Sequence, residues 1–227
     1  MKYGTCALLL AAGLACGSTP AAAAEDADFV HCDGYAAPKG KADGLTRGTW
    51  LYGLASRSAD IRRETIPGVG QPGFDACERA LEDPRLVPDF WLRKANLTQA
   101  KALHALAADK AELALGIAQE SDAIGKAAPG PFFMRSIGLG NQAIRAYALI
   151  VLDRQKEAAD AIDGLAARRP WSQSIHTLAY NLRNRADGDT ARQTANLRAE
   201  IPLSPSKALA LFWQEFLLGR YAQALEV

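Results

Sequence analysis

Long hydrophobic runs are missing from almost all of this 227-residue sequence. Beyond residue 24 no stretch approaches the roughly 20 apolar residues that span a bilayer, so no helical membrane span is expected there. Histidine is scarce. His31, His104 and His176 are the only three, and no two stand at the spacing of metal ligands, so no metal site is expected. His104, among Leu103, Ala105 and Leu106, reads as a helix-flank residue. An excess of charge is missing too. Of 26 basic residues only Lys2 falls within 1–24, which leaves 25 against 25 acidic ones. Such a balanced chain has no electrostatic reason to seek nucleic acid or an anionic membrane. A nucleophile elbow is absent, because Gly53-Leu54-Ala55-Ser56-Arg57 lacks the second glycine. Acid pairs such as Asp160 and Asp163 read as solvated helix faces rather than a general acid and base. No catalytic residue and no cofactor follow from these residues.

What is present begins with a targeting pattern. Lys2 supplies a positive start, Ala7 to Ala15 a compact apolar run, and Ala22, Ala23 and Ala24 a small-x-small site before Glu25 and Asp26. That is the layout of a secretory signal peptide cut after Ala24. Cys16 offers lipidation as an alternative, but in Gly13-Leu14-Ala15-Cys16 the glycine and leucine stand in the wrong order for a lipobox. Export to the periplasm is the expectation. Two cysteines then remain, Cys32 and Cys77, and an oxidising compartment makes a disulfide between them the expected outcome; two buried thiols or a metal pair are the alternatives.

Residues 25–88 are rich in turn signals, among them Asp33-Gly34, Pro38-Lys39-Gly40, Asp43-Gly44 and the run from Ile66 to Gly73. Leu45 to Ser56 fits a strand or a short helix equally well. Phe74 to Leu81 reads as a helix ended before Pro84. The whole region is expected to be an irregular cap held by the disulfide.

After Pro88 helical spacing takes over. Leu92, Ala95, Gln99/Ala100, Leu103 and Leu106/Ala107 mark one stripe, with Ala108-Asp109-Lys110 as its break. Ala143 to Leu152 is apolar on nearly all sides and should lie inside. Further helices are expected over 157–169, around Ile175 to Leu182, over 191–200 and 209–218, and from Tyr221 onward, with Asp187-Gly188-Asp189 and Gly219-Arg220 as turns. Gly138-Leu139-Gly140-Asn141-Gln142-Ala143 matches the short dinucleotide fingerprint. That mechanism needs a strand before the glycines, and Pro129-Gly130-Pro131 leaves only Phe132 to Ile137 for one. A flexible lead into a helix capped by Asn141 is the expectation instead. Asn96-Leu97-Thr98 fits a glycosylation sequon but lies mid-helix.

A period runs through these helices. Ala158, Ala191 and Ala224 stand 33 residues apart, as do Ala146, Ala179 and Phe212, and Leu149 and Leu182. Ile162 and Ala195 match and are expected to face inward. Two helices per unit at a fixed period of this size predict a solenoid. Leu218-Gly219-Arg220-Tyr221-Ala222-Gln223-Ala224-Leu225, with weaker copies at Asp153 to Ala159 and Asp187 to Ala191, resembles the turn and second-helix opening of the tetratricopeptide repeat (TPR) family. Pro170 and Pro202 sit near that family's repeat-closing proline. The resemblance covers about residues 140–227, with a more divergent pair at 89–120. It departs in its period of 33 rather than 34, in Gln142 and Arg145 at positions the family keeps apolar, and in Glu215. It implies an all-α fold: an irregular cap over 25–88 and a short TPR-like solenoid over 89–227.

The resemblance also implies a groove lined by first helices that binds an extended peptide or partner protein. Register carries this to Tyr147, to His176, Tyr180, Arg183 and Asn184, and to Trp213, with Tyr180 and Arg183 the leading residues. Phe216 and Leu217 share the register but are expected in the core. The expected function is therefore an exported protein-binding scaffold of the bacterial envelope. Two alternatives are an envelope enzyme or glycan-binding protein with a polar cleft of paired carboxylates, and a structural subunit completed by a dimer or partner at α-helices near the C-terminal apolar stripe.

Overall fold

The computed structural model describes residues 26–45, 49–50, 55–56, 68–127, 130–186 and 190–227. The signal-peptide reading of 1–24, the lipidation alternative at Cys16 and the turn at 187–189 lie outside the described residues. The fold is all-α. Within the cap, α1 (Asp26–Asp33) packs on α2 (Gln71–Leu81), and the Cys32–Cys77 disulfide is formed between them. A two-residue antiparallel pair, β1 (Thr49–Trp50) with β2 (Ala55–Ser56), is all the strand structure among the described residues. It falls inside the segment whose periodicity was ambiguous.

After a 3-10 turn at Pro88–Phe90 come α3 (Trp91–Ala107), α4 (Ala111–Ala127), the short α5 (Pro131–Arg135) and α6 (Ile137–Val151). Then follow α7 (Gln155–Arg168), α8 (Gln173–Ala186), α9 (Thr190–Glu200), α10 (Lys207–Leu217) and α11 (Tyr221–Leu225). From α6 onward each helix packs on the next in chain order; α4 packs on α6, and the first helices α3, α6 and α8 also touch in sequence.

Three of the turns inside the helix pairs are built alike. Asp109, Asp153 and Gly219 are left-handed, at φ 59°, 57° and 72°. Glycine adopts that conformation freely, and aspartate tolerates it because its short side chain is polar. The next backbone N–H reaches back five residues to close the preceding helix: Lys110 N to Ala105 O, Arg154 N to Leu149 O and Arg220 N to Glu215 O, each 2.9 Å. This is the Schellman arrangement, which satisfies carbonyls a helix end otherwise leaves bare. The carbonyl of the same basic residue then accepts the first bond of the following helix, from Ala114, Ala158 or Ala224. Those three alanines are buried, at 0, 0 and 3 % exposure, where the paired helices approach.

The 33-residue register holds on the first helices and fails on one second helix. Ala146 and Ala179 are fully buried, and Leu149, Leu182 and Glu215 are all inside. Ala191 and Ala195, however, are exposed, and Thr194, Asn196 and Leu197 face inward in their place. α9 thus buries a face rotated away from the one the register predicts.

The expected cap at Asn141 is overturned, and the glycines form no dinucleotide-binding loop. Gly138 and Gly140 lie within α6, which opens at Ile137 after Ser136. A Cβ on Gly140 would stand 2.5 Å from Gln99 Nε2, so glycine lets α6 close onto α3. Asn141 is fully buried in a polar network. Its amide donates to Ser121 Oγ and to Asp122 Oδ1, both at 2.9 Å, and its oxygen accepts from Gln99 Nε2 at 2.9 Å. Ser121 in turn donates to Ala95 O at 2.9 Å, so α3, α4 and α6 share one hydrogen-bonded seam.

Candidate functional site

Among the residues assigned to a groove, three share one position on successive first helices. Tyr147 on α6 and Tyr180 on α8 are half-buried, and Trp213 on α10 is 49 % exposed. Arg185 places its guanidinium 5.7 Å from the centre of the Tyr147 ring. Trp213 meets Phe212 and Phe216 edge-on, at 5.3 and 5.8 Å between ring centres. One turn further along the same helices come Val151, Asn184 and Leu217, all exposed. The face therefore offers aromatic rings with an apolar and amide fringe, a combination suited to holding a peptide backbone and its apolar side chains.

His176 and Arg183 do not belong to that open face. His176 is 4 % exposed, and its Nε2 lies 2.9 Å from Pro170 O, tying the start of α8 to the preceding turn. Arg183 is 5 % exposed and pairs with Asp163 on α7. The cost of burying a charged group is met by that carboxylate, so burial wins over exposure. Asp163 is thus a partner in the packing rather than a purely solvated acid. Phe216 and Leu217 depart in the opposite direction: expected in the core, they are 42 % and 80 % exposed.

Arg183 is one of several first-helix cations that reach an acid on the helix before. Lys101 on α3 meets Glu78 on α2 at 3.0 Å, and Lys207 on α10 meets Glu200 on α9 at 3.4 Å. Arg145 on α6 lies 3.8 Å from Asp122 on α4. Gln142 and Arg145, polar at positions where the resembled family is apolar, are accounted for by such contacts: Gln142 Nε2 donates to Ala161 O at 3.0 Å.

A second feature was not foreseen from the sequence. Two adjoining clefts, of about 520 and 320 Å³, lie between the cap and α3 and share Tyr35 and Asn96. Leu45, Leu92, Phe132 and Ile137 wall the larger one. The smaller is backed by Asp33, Gln99 and His104. Beneath them sits a buried ion pair. Arg93 and Asp33 have side chains 0 and 2 % exposed and meet at 2.7 Å, with a second contact from Arg93 Nη2 to Asp33 Oδ1 at 3.0 Å. The guanidinium lies between the Phe29 and Tyr35 rings, at 5.5 and 5.6 Å. Burial pushes the Asp33 carboxyl up to about 6, although Arg93 and the donors from Tyr35 N and Asn96 pull it down. Burial likewise lowers the Arg93 guanidinium from its usual range, against the pull of Asp33.

The polar groups backing these clefts are largely spent on the fold. Asn96 donates to Asp33 Oδ2 at 2.7 Å, and Gln99 donates to Ile137 O at 2.6 Å and to Asn141. His104, expected at a helix flank, is buried and straps the cap to α3. It accepts from Gly70 N at 3.4 Å and stands 2.9 Å from Cys32 O. Among the described residues no group of three or more His, Cys, Asp and Glu is gathered to hold a metal ion. No described helix is long and apolar enough to cross a membrane.

Compared with known proteins, the chain matches no family model, and neither its sequence nor its structure finds a significant counterpart among curated proteins or solved structures.

Proposed function

We propose that this protein is an exported, TPR-like scaffold that binds an extended segment of a partner protein along the face of its first helices. One observation carries the reading: Tyr147, Tyr180 and Trp213 occupy one position on three successive first helices and are all partly open. Equivalent turns at Asp109, Asp153 and Gly219, and helices that pack in chain order, support a short solenoid. The Cys32–Cys77 disulfide supports an oxidising compartment, in keeping with a periplasmic location and a cleaved signal peptide.

The partner contacts are Tyr147, Tyr180, Asn184 and Trp213, while His176 and Arg183 hold α8 in place behind them. Cross-linking with mass spectrometry, on a pull-down from the native host's envelope, tests the reading. The expected result is a specific protein cross-linked to the first-helix face and lost when Tyr180→Ala is combined with Asn184→Ala. Retention of no specific protein, or capture unchanged by the double substitution, would overturn it.

A further inference from the structure

The two clefts under the cap continue the face of the first helices. Leu103 on α3 stands six residues before Asp109, as Tyr147 stands six before Asp153 and Trp213 six before Gly219. Because those turns are built alike, Leu103 holds on α3 the position that the aromatic rings hold on later first helices. It is 52 % exposed and forms one wall of the smaller cleft. α3 packs on α6, so a segment lying across Tyr147 meets Leu103 next.

The chemistry of the clefts says what they can take. Asn96, Gln99 and His104 are bonded within the fold, Ser136 donates to Phe132 O at 2.6 Å, and Asp43 accepts from Leu45 N at 2.9 Å. A polar group seated there would give up water without a matching gain, whereas an apolar one meets apolar walls. At the rims, Val69 and Phe132 are 70 and 64 % exposed, large apolar side chains with nothing over them in the protomer. Along α3 the walls of the two clefts are centred about six residues apart, roughly 9 Å of helix. A segment in the polyproline-II conformation repeats its face every third residue, about 9 Å further on.

We propose that the two clefts seat two large apolar side chains, about three residues apart, of the same extended segment that lies along the first helices. The cap is then the end wall of the groove, and Leu103, Val69 and Phe132 are its anchoring contacts. The proposal rests on the partner-binding reading above and adds to it the kind of segment that is bound. Each cleft falls within the roughly 300–1,000 Å³ of pockets that enclose a ligand group.

Panning the purified protein against a phage library of short random peptides tests the proposal. The enriched peptides are expected to share a pair of large apolar residues about three positions apart. Leu103→Glu and Phe132→Glu should each weaken their binding at least roughly tenfold, because the new carboxylate must lose water when an apolar chain is seated beside it. Tyr180→Ala combined with Asn184→Ala should weaken it as well, since one segment spans both places. The glutamates stand at exposed positions, and an unchanged circular-dichroism melt is expected to show that the fold survives. Val69→Glu, on the rim supplied by the cap, repeats the test without touching α3 or α5. Leu113→Glu, on the exposed side of α4, should leave binding unaltered. Peptides lacking the apolar pair would overturn the proposal, as would binding indifferent to all three rim glutamates or equally sensitive to Leu113→Glu. If such binding still depends on Tyr180 and Asn184, the cleft proposal fails and the first-helix reading stands. Binding that needs the rim residues but not Tyr180 and Asn184 would overturn the single continuous segment. No enriched peptide at all would overturn both readings.

Discussion

The cap with α3–α6 and the segment α9–α11 are written in the same helical idiom but stabilised in opposite ways. Around the cap, apolar side chains form clusters and the polar ones are enclosed and paired: Phe29, Cys32, Cys77 and Leu97 in one core, Arg93 with Asp33, Asn141 with Ser121. Beyond Ala186 the hydrophobic clusters found among the described residues stop. What lies inside there is largely polar, with Thr194, Asn196, Glu200 and Glu215 buried beside Leu197, Leu211 and Ala224. Apart from Leu211 and the half-buried Phe212, the large apolar residues of α10 and α11 point outward. Helical spacing alone therefore does not say how much a pair contributes to stability. The region with enclosed apolar clusters holds itself, whereas the region with an enclosed carboxylate and exposed aromatics is expected to open more readily.

Two of the buried carboxylates, Asp33 and Glu215, make the sharpest way to break that comparison. Asp33 and its cation are both enclosed, so Asp33→Ala leaves Arg93 charged, buried and unpaired. A loss of about 3–5 kcal/mol in urea unfolding is expected. A loss under about 1 kcal/mol would mean that Arg93 relaxes into solvent. Removing the disulfide with Cys32→Ala and Cys77→Ala should cost about 4 kcal/mol, for a bridge joining positions 45 apart. The same assay measures it.

Titration offers a third test. The Asp33 carboxyl is raised in the folded protein to about 6 from an ordinary 3.8. A raised acid binds its proton more tightly when folded. Its contribution is therefore fully present below about pH 4 and lost as pH rises through 6. Stability should fall across that window by up to about 3 kcal/mol from this group, and Asp33→Asn should flatten the slope in melts taken at successive pH values.

Glu215 should behave unlike Asp33. It is 1 % exposed, but its cations, Arg198 and Arg220, lie at 3.2 and 3.4 Å with side chains about half in solvent. It also occupies the register of Leu149 and Leu182. Glu215→Leu should leave both arginines hydrated and change stability by less than about 1 kcal/mol, or raise it. A loss as large as that of Asp33→Ala would erase the distinction between the regions. The smallest effect is on dynamics: backbone amides of α9–α11 should exchange with deuterium faster than those of α3 and α4 in the same sample.

Much of this architecture was legible in the residues, and the misreadings have physical causes. Helix ends were set by proline and by turn residues, so α2, α7 and α10 fall within a few residues of the expected spans. The disulfide followed from two cysteines in a chain read as exported. α6 starts six residues before Ala143 because glycines that look like a loop are small residues in close contacts, Gly138 with Phe133 of α5 and Gly140 with Gln99 of α3. Arg183 and His176 were assigned to the groove because register fixes only a face, and a long side chain on its edge can turn either way. Arg93 gave no signal: nothing local distinguishes an arginine that will meet Asp33 sixty positions earlier. The clefts around Tyr35 and Asn96 are likewise made by contacts between distant segments.

By itself, the sequence determined that the chain is helical beyond residue 88, where its helices pause and which cysteines could pair, because these depend on spacing and backbone preference within a few residues. Only the tertiary structure decided which polar groups are enclosed, that α9 is turned out of register, and that Leu209, Phe216 and Leu225 face solvent. Those outcomes depend on the distance and phase between helices, which no single helix encodes.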